Sequence, residues 1–241
     1  MKISQGLYAY CIIQLEQETD LRAKLPTDLF FIPYQSIAII VKKASKSSWQ
    51  PNRKNILNHQ KVITQLQEII DLLPLRFGTV FKNNSEAEKI MANNFDEINR
   101  LLNKIKGRIE LGLKIFWKQD AFIKEIGNKK IEKLKKEYGA RKKDRYAIAI
   151  EAGRIIEEKV LDKRDEYVRT IFKPLSNLAD DSILNPVTGE KMVFNAVFLI
   201  KKEHITVFDE AVKDFHDKYQ DKFIFKYSGP WTPYNFVKVN W

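Results

Sequence analysis

The side chains able to do acid–base, metal or nucleophilic chemistry are few in this chain, and their spacing does not suit that work. His59 stands on an apolar helical face beside Ile56 and Ile63, with no second histidine or cysteine close in sequence. That setting reads as a satisfied, semi-buried histidine and not as a ligand or base. His204 and His216 open and nearly close a later helix, without metal-ligand spacing. Glu157 and Glu158 are adjacent, so on a helix they point to different faces and cannot share one proton-transfer task. No Gly-rich phosphate loop, nucleophile elbow or Cys/His ligand set is legible. The expectation is a protein that is not an enzyme and carries no cofactor and no metal.

The residues that remain suit adhesion. Gly229-Pro230-Trp231-Thr232-Pro233-Tyr234-Asn235-Phe236, with Trp241 at the end, is aromatic and proline-fixed. Two prolines bar an interior strand or a helix, and disorder goes with few aromatics. Trp231, Tyr234 and Phe236 are therefore expected to dock, either on the chain's own surface or on a partner. Arg76 and Phe77 follow the Leu73-Pro74 pair; Arg76 suits either a partner's carboxylate or an internal charge-assisted bond. Glu110, Gly112 and Lys114 share one face of an alternating strand. That face is a binding platform or an ordinary solvated surface. Between Lys124 and Arg145 stand ten basic residues and four acidic ones, which reads as a solvated helix pair or as an attractor for an acidic partner.

Positioning these residues requires a sizeable scaffold. The 241 residues allow one large domain or two ordinary ones. There is no apolar run of about 18 residues, so no membrane span is expected. One cysteine, Cys11, cannot pair internally, and no signal peptide is read, so the expected compartment is cytoplasmic. The net charge of +11 permits attraction to nucleic acid, anionic lipid or an acidic protein without choosing among them.

Strands are expected at Leu7–Gln14, Leu29–Tyr34 and Ser36–Lys42, with Leu25-Pro26 as punctuation. A linker from Ser45 to Pro51 precedes a helix with the seam Ile56, His59, Ile63, Leu66, Ile70 and Leu73, ended by Pro74. A second helix opens on a Ser85/Glu88 capping box and runs to Gly107. Alternation from Ile109 to Trp117 predicts a strand. Helices follow over about 119–138 and 143–172, broken at Gly139 and stopped by Pro174. Strand-like runs at Leu175–Leu184 and Lys191–Ile200 flank a turn, before a helix through Ile205, Phe208, Val212, Phe215 and Tyr219. Phe223–Tyr227 supplies the last strand.

The order β, α, β, β, α, β is that of a ferredoxin-like unit. The expected fold class is therefore α+β in two domains: an N-terminal mixed α+β domain over 1–106 and a modified ferredoxin-like domain over 107–241. The second carries a helical insertion over about 119–172 and an aromatic tail over 229–241. Its long helix should overhang the sheet and form a projecting hairpin with the basic helix before it.

Four segments resemble the gas vesicle protein GvpF/GvpL family. They are Asn58-His59-Gln60-Lys61-Val62-Ile63, Leu73-Pro74-Leu75-Arg76-Phe77-Gly78-Thr79-Val80-Phe81, Ile109 to Trp117, and Gly229-Pro230-Trp231 through Tyr234-Asn235-Phe236-Val237. They occur in the family's order across essentially the whole chain. Thr232 stands where the family usually has a second proline, which loosens that turn. The resemblance implies a cytosolic accessory or minor structural protein of gas vesicles. It implies association with the shell, binding to the hydrophobic shell subunit GvpA and to other accessory proteins, and no catalysis. It also implies a two-domain α+β plan. The competing reading is a basic, ferredoxin-like nucleic-acid-binding module. Against it, no strand carries the Lys/Arg-Gly-Phe-x-Phe pattern that stacks bases, so neither nucleic acid nor membrane is an expected partner.

Overall fold

Strand β3 (Ile37–Ser45) is apolar at successive positions, Ile37 to Val41, all fully buried. Such a strand needs cover on both faces, and the computed structural model supplies it. The model describes residues 5–15, 26–45, 49–127, 129–140 and 144–237. Leu25, residues 46–48 of the expected linker, residues 128 and 141–143 of the basic run, and Trp241 lie outside the described residues.

The chain is mixed α+β with two antiparallel sheets, and it divides into two compact units. Residues 1–110 and 230–241 form one; 111–229 form the other. The boundary expected at Gly107 therefore falls slightly later, and the tail groups with the first unit instead of the second. Its contacts, given below, are the reason. Gly107 itself is a turn residue with φ +69, its N–H donated to the Asp71 carboxylate at 2.7 Å.

In the first unit, β1 (Gln5–Gln14), β2 (Leu29–Tyr34) and β3 lie in the order β2-β3-β1, followed by β4 (Leu73–Pro74), while β5 (Val80–Phe81) also pairs with β1. The β1–β3 register shifts between Ala9 and Cys11. This irregularity puts Tyr8, Tyr10, Cys11 and Ile13 in one core, and Leu7, Ala9 and Ile12 in the other. The first core is closed by α1 (Arg53–Gln67) through Ile63 and Leu66; the second by α2 (Asn84–Asn93) and α3 (Phe95–Ile105) through Met91, Ile98 and Leu102.

Several boundaries differ from expectation for local reasons. α1 stops at Gln67, and Pro74 pairs in a strand opposite Cys11 instead of ending the helix. Ile56 is exposed, so the buried seam starts at His59. The helix cap is Asn83, not Ser85: its side chain accepts the Glu86 N–H at 3.0 Å, and Glu86 in turn accepts the Lys82 N–H. The single second helix is two, parted at Asn94, whose side-chain amide donates to the Ile90 carbonyl at 2.8 Å.

The second unit is built on the order β7-β8-β6-β9, with β6 (Arg108–Trp117), β7 (Asp181–Asn185), β8 (Met192–Lys201) and β9 (Phe223–Trp231). Helices α4 (Gln119–Ile126), α5 (Lys129–Ala140) and α6 (Arg145–Tyr167) connect β6 to β7, and α5 packs on α6. The first expected helix is divided at Gly127, where a Cβ would sit 2.6 Å from the Ile123 carbonyl oxygen, while Gly139 stays helical and α5 ends one residue later, at Ala140. Pro174 does not end the helix either. A π turn over Val168–Phe172, closed by the Lys173 N–H on the Val168 carbonyl, leads into α7 (Lys173–Ser176). Pro174 sits at its start, where no donor is needed. Leu175 is consequently helical, and the strand begins only at Asp181. α8 (Ile205–Tyr219) lies between β8 and β9. β9 runs on through Pro230, which its edge position tolerates.

Candidate functional site

Several of the sequence candidates converge on the first unit around His59. The ring is buried and stacks on Tyr10, with centroids 5.3 Å apart. A carbonyl can only accept, so Nε2 carries the proton and donates to the Leu75 carbonyl at 3.2 Å. Nδ1 then accepts from the Tyr8 hydroxyl at 2.9 Å, whose oxygen accepts the Gly78 N–H at 3.3 Å. Gly78 has φ +88, a conformation that suits glycine. Phe77 packs edge-on against both Tyr8 and His59, at 6.1 and 5.8 Å. Helix α1, strand β1 and the turn after β4 are thus tied through one imidazole.

The tail joins the same cluster. The Tyr234 hydroxyl lies 3.4 Å from His59 Nε2. The Thr232 hydroxyl donates to the Gln67 side-chain oxygen. Asn235 gives Glu110 two bonds, from its N–H at 3.0 Å and its side-chain amide at 2.6 Å. Phe236 is buried, with the Lys104 ammonium 5.6 Å above its ring. A short 3-10 turn over Tyr234–Phe236, started by Pro233, gives these side chains their directions. What the clamped segment leaves outside is Trp231, 44% exposed. Its indole borders a groove of about 230 Å³, with Gln60, Ile63, Thr64, Thr232 and Tyr234 as further lining.

The electrostatics follow burial. Burial pushes the Glu110 carboxyl above its ordinary range, and the two Asn235 donors offset part of that rise. Burial holds His59 below the usual imidazole value against the Leu75 bond, which favours the cation. The Tyr8 phenol is pushed up to about 12, chiefly by burial, and Tyr234 is raised for the same reason. The fully buried Cys11 thiol is raised as well. A neutral imidazole, protonated phenols and a protonated thiol make a poor nucleophile set but a rigid apolar floor. Among the described residues, no group of three or more His, Cys, Asp and Glu side chains is placed to hold a metal ion, and no helix is long and apolar enough to cross a membrane.

The expected site residues therefore separate. Phe77 and Tyr234 meet at His59, and Glu110 and Trp231 line the groove beside Tyr234. Phe236 is an anchor under Lys104. The Arg76 side chain is exposed, and its carbonyl accepts both the N–H and the hydroxyl of Thr79, closing the turn. Lys114 is exposed on β6 in the second unit and is not part of this cluster. The open face expected at Glu110 and Gly112 is corrected. Glu110 is 5% exposed under Asn235, and a Cβ on Gly112 would meet the Ser228 hydroxyl of β9 at 3.0 Å. Tyr8, Tyr10 and Gln67 were not singled out from sequence, while Thr232 was noted only as a replaced proline and Asn235 only as part of the tail segment. Period-two spacing of Tyr8 and Tyr10 on an apolar strand was the available signal for the first pair.

These features define a two-sheet α+β protein with a clamped aromatic tail. The chain matches the family model described as gas vesicle synthesis protein GvpL/GvpF over residues 6–238, and it belongs to that family. It is 27% identical to gas vesicle protein F of Nostoc sp., over 99% of this chain and 100% of that protein. Gas vesicle protein L of Haloferax mediterranei is 24% identical over 76% of this chain and 61% of its own length. The fold is similar to crystal structures of GvpF from Microcystis aeruginosa (TM-score 0.77, 24% identity, covering 97% of this chain and 99% of that one) and from Anabaena sp. (TM-score 0.74, 24% identity, covering 98% of each).

Proposed function

We propose that this chain is a non-catalytic accessory or minor structural protein of gas vesicles, which binds the hydrophobic shell subunit GvpA and supports vesicle assembly. On this reading residues 111–229 are a modified ferredoxin-like unit, and the first unit carries the docking surface. The observation that carries the reading is Trp231. Its ring is 44% exposed on a segment otherwise fixed through Thr232, Tyr234, Asn235 and Phe236. Rigid aromatic anchors of this kind dominate binding because little conformational freedom remains to be lost. Family membership supplies the gas vesicle context.

The test is co-expression of the tagged chain with the shell subunit, followed by pull-down, comparing wild type with Trp231→Ala. The expected result is capture by wild type and a loss of about tenfold or more in the variant, in line with a hot-spot aromatic. Failure of wild type to capture the subunit or to travel with buoyant vesicles overturns the function. Unchanged capture by Trp231→Ala overturns the site.

A further inference from the structure

The second unit has a separate groove of about 600 Å³ along α6. Ile156, Val160 and Leu161 of α6 and Phe122 of α4 form an apolar floor, with Val187 on the opposite wall. Leu161 is 52% exposed and Val187 is also exposed, so apolar surface meets water at both lips. Gly153 leaves a notch at one end, with nothing within 4 Å of where its Cβ would be. The loop wall is held rigidly by Arg164. Its Nε donates to the Met192 carbonyl at 2.9 Å, and one terminal nitrogen donates to the Gly189 and Glu190 carbonyls at 2.9 and 3.2 Å. Glu157 and Glu190 stand on the rim, both exposed.

We propose that this groove docks one amphipathic α-helix of a partner protein, apolar on one face and flanked by lysine or arginine. The size falls within the few hundred to about 1,000 Å³ of a ligand-sized cleft, and an apolar groove of this kind receives the apolar face of an amphipathic helix. An extended peptide is disfavoured, because its N–H groups would have to share the Gly189, Glu190 and Met192 carbonyls with Arg164, which already donates to each of them. The Gly153 notch lets a second helix approach closely there. The charge argument fixes the flank. Two rim carboxylates, Glu157 and Glu190, outnumber the one guanidinium of the lining, Arg164, so the charge of the groove lining is opposite in sign to that of a chain of net charge +11. A cationic flank is then chosen by the groove against the field of the whole molecule.

That opposition makes the test sharp. Two labelled helical peptides of about 14 residues, roughly 21 Å long, share one leucine stripe; one is flanked by lysine, the other by glutamate. Binding to the full chain is read by fluorescence anisotropy at about 0.15 M salt. The lysine-flanked peptide is expected to bind. Leu161→Asp and Gly153→Leu should each weaken it about tenfold or more, and Glu157→Lys with Glu190→Lys should reverse the preference between peptides. Gly153→Leu guards against misfolding, since it replaces glycine inside a helix with a better helix former. Absence of binding by the lysine-flanked peptide overturns the proposal. So does binding indifferent to Leu161→Asp and Gly153→Leu, or a preference for the glutamate-flanked peptide that follows net charge alone.

Discussion

Asn235→Ala tests how the tail is held. The substitution removes the shorter of two donors to a buried carboxylate, the 2.6 Å side-chain bond, and leaves the 3.0 Å backbone bond to Glu110. A hydrogen bond to a charged group is worth about 1.5–3 kcal/mol. At neutral pH the tail-opening equilibrium should therefore rise roughly 10- to 100-fold, read as lost hydrogen-exchange protection over 232–237. The effect carries a pH signature. Burial raises the Glu110 carboxyl above its ordinary 4.5, and the Asn235 donors counteract that rise. A raised carboxyl contributes stability that is fully present below the unfolded value and is lost as pH rises through the folded value. Removing a donor that favours the anion raises the folded value further, so more is lost. The penalty of Asn235→Ala should thus be small below the ordinary glutamate range and reach its full size at neutral pH. Denaturation of wild type and variant across that range checks it, with Glu110→Gln as the background in which the pH dependence vanishes. A penalty equal at both ends of the range, or below about 0.5 kcal/mol at neutral pH, refutes the assignment of Asn235 as the partner of an ionised Glu110.

Three further outcomes follow from named contacts. His59 is held below its ordinary value of 6.5 by burial, so its contribution is present above that value and is lost as pH falls below it. His59→Phe should flatten the acid slope of the melting curve while costing about 1–3 kcal/mol at pH 8, because Tyr8 and Leu75 lose their partners. In the second unit, burial raises the Glu125 carboxyl, but Lys222, Tyr167 and Trp117 together outweigh it and hold it low. Glu125→Ala should cost about 3 kcal/mol in urea denaturation, Lys222→Met under 1 because that ammonium is half exposed, and the double variant less than their sum. Gly6→Ala would place a Cβ 2.7 Å from a Val80 methyl and 3.2 Å from the Phe81 carbonyl oxygen, and should lower stability by about 1–3 kcal/mol by thermal melting.

Local signals carried most element types into the structure, and failed where the deciding partner was distant or two residues away. The Ile109–Trp117 alternation located β6 to within a residue, since a pleat follows directly from period two. It also put Glu110 opposite the core residues correctly, but could not reveal that Asn235 covers it from the far end of the chain. Ser85 and Asn83 are equally good caps by type; the choice depends on where the chain leaves β5, which spacing does not encode. Pro74 and Pro174 were both read as helix stops. One pairs in a strand and the other opens a helical turn, because proline forbids only a donor and a φ, and each site makes no demand on either.

The aromatic tail and His59 were singled out for different reasons, docking and inertness, and the structure makes them parts of one device. A histidine kept neutral by burial can donate from Nε2 and accept at Nδ1 at once, so it joins a strand hydroxyl, a turn carbonyl and the tail phenol without bringing a charge into the core. Phenylalanine would fill that space but satisfy none of the three, and lysine would bring the charge. Because the tail is fixed at Thr232, Asn235 and Phe236 on either side of this contact, the freedom left to Trp231 is mainly that of its own side chain. An exposed indole with that little freedom loses little on binding, whereas one on an unanchored tail would first have to be ordered at about 1–2 kcal/mol per residue. On the proposed docking role of Trp231, the polar bonds of the tail act indirectly, by lowering the entropy cost of an apolar contact that none of them makes.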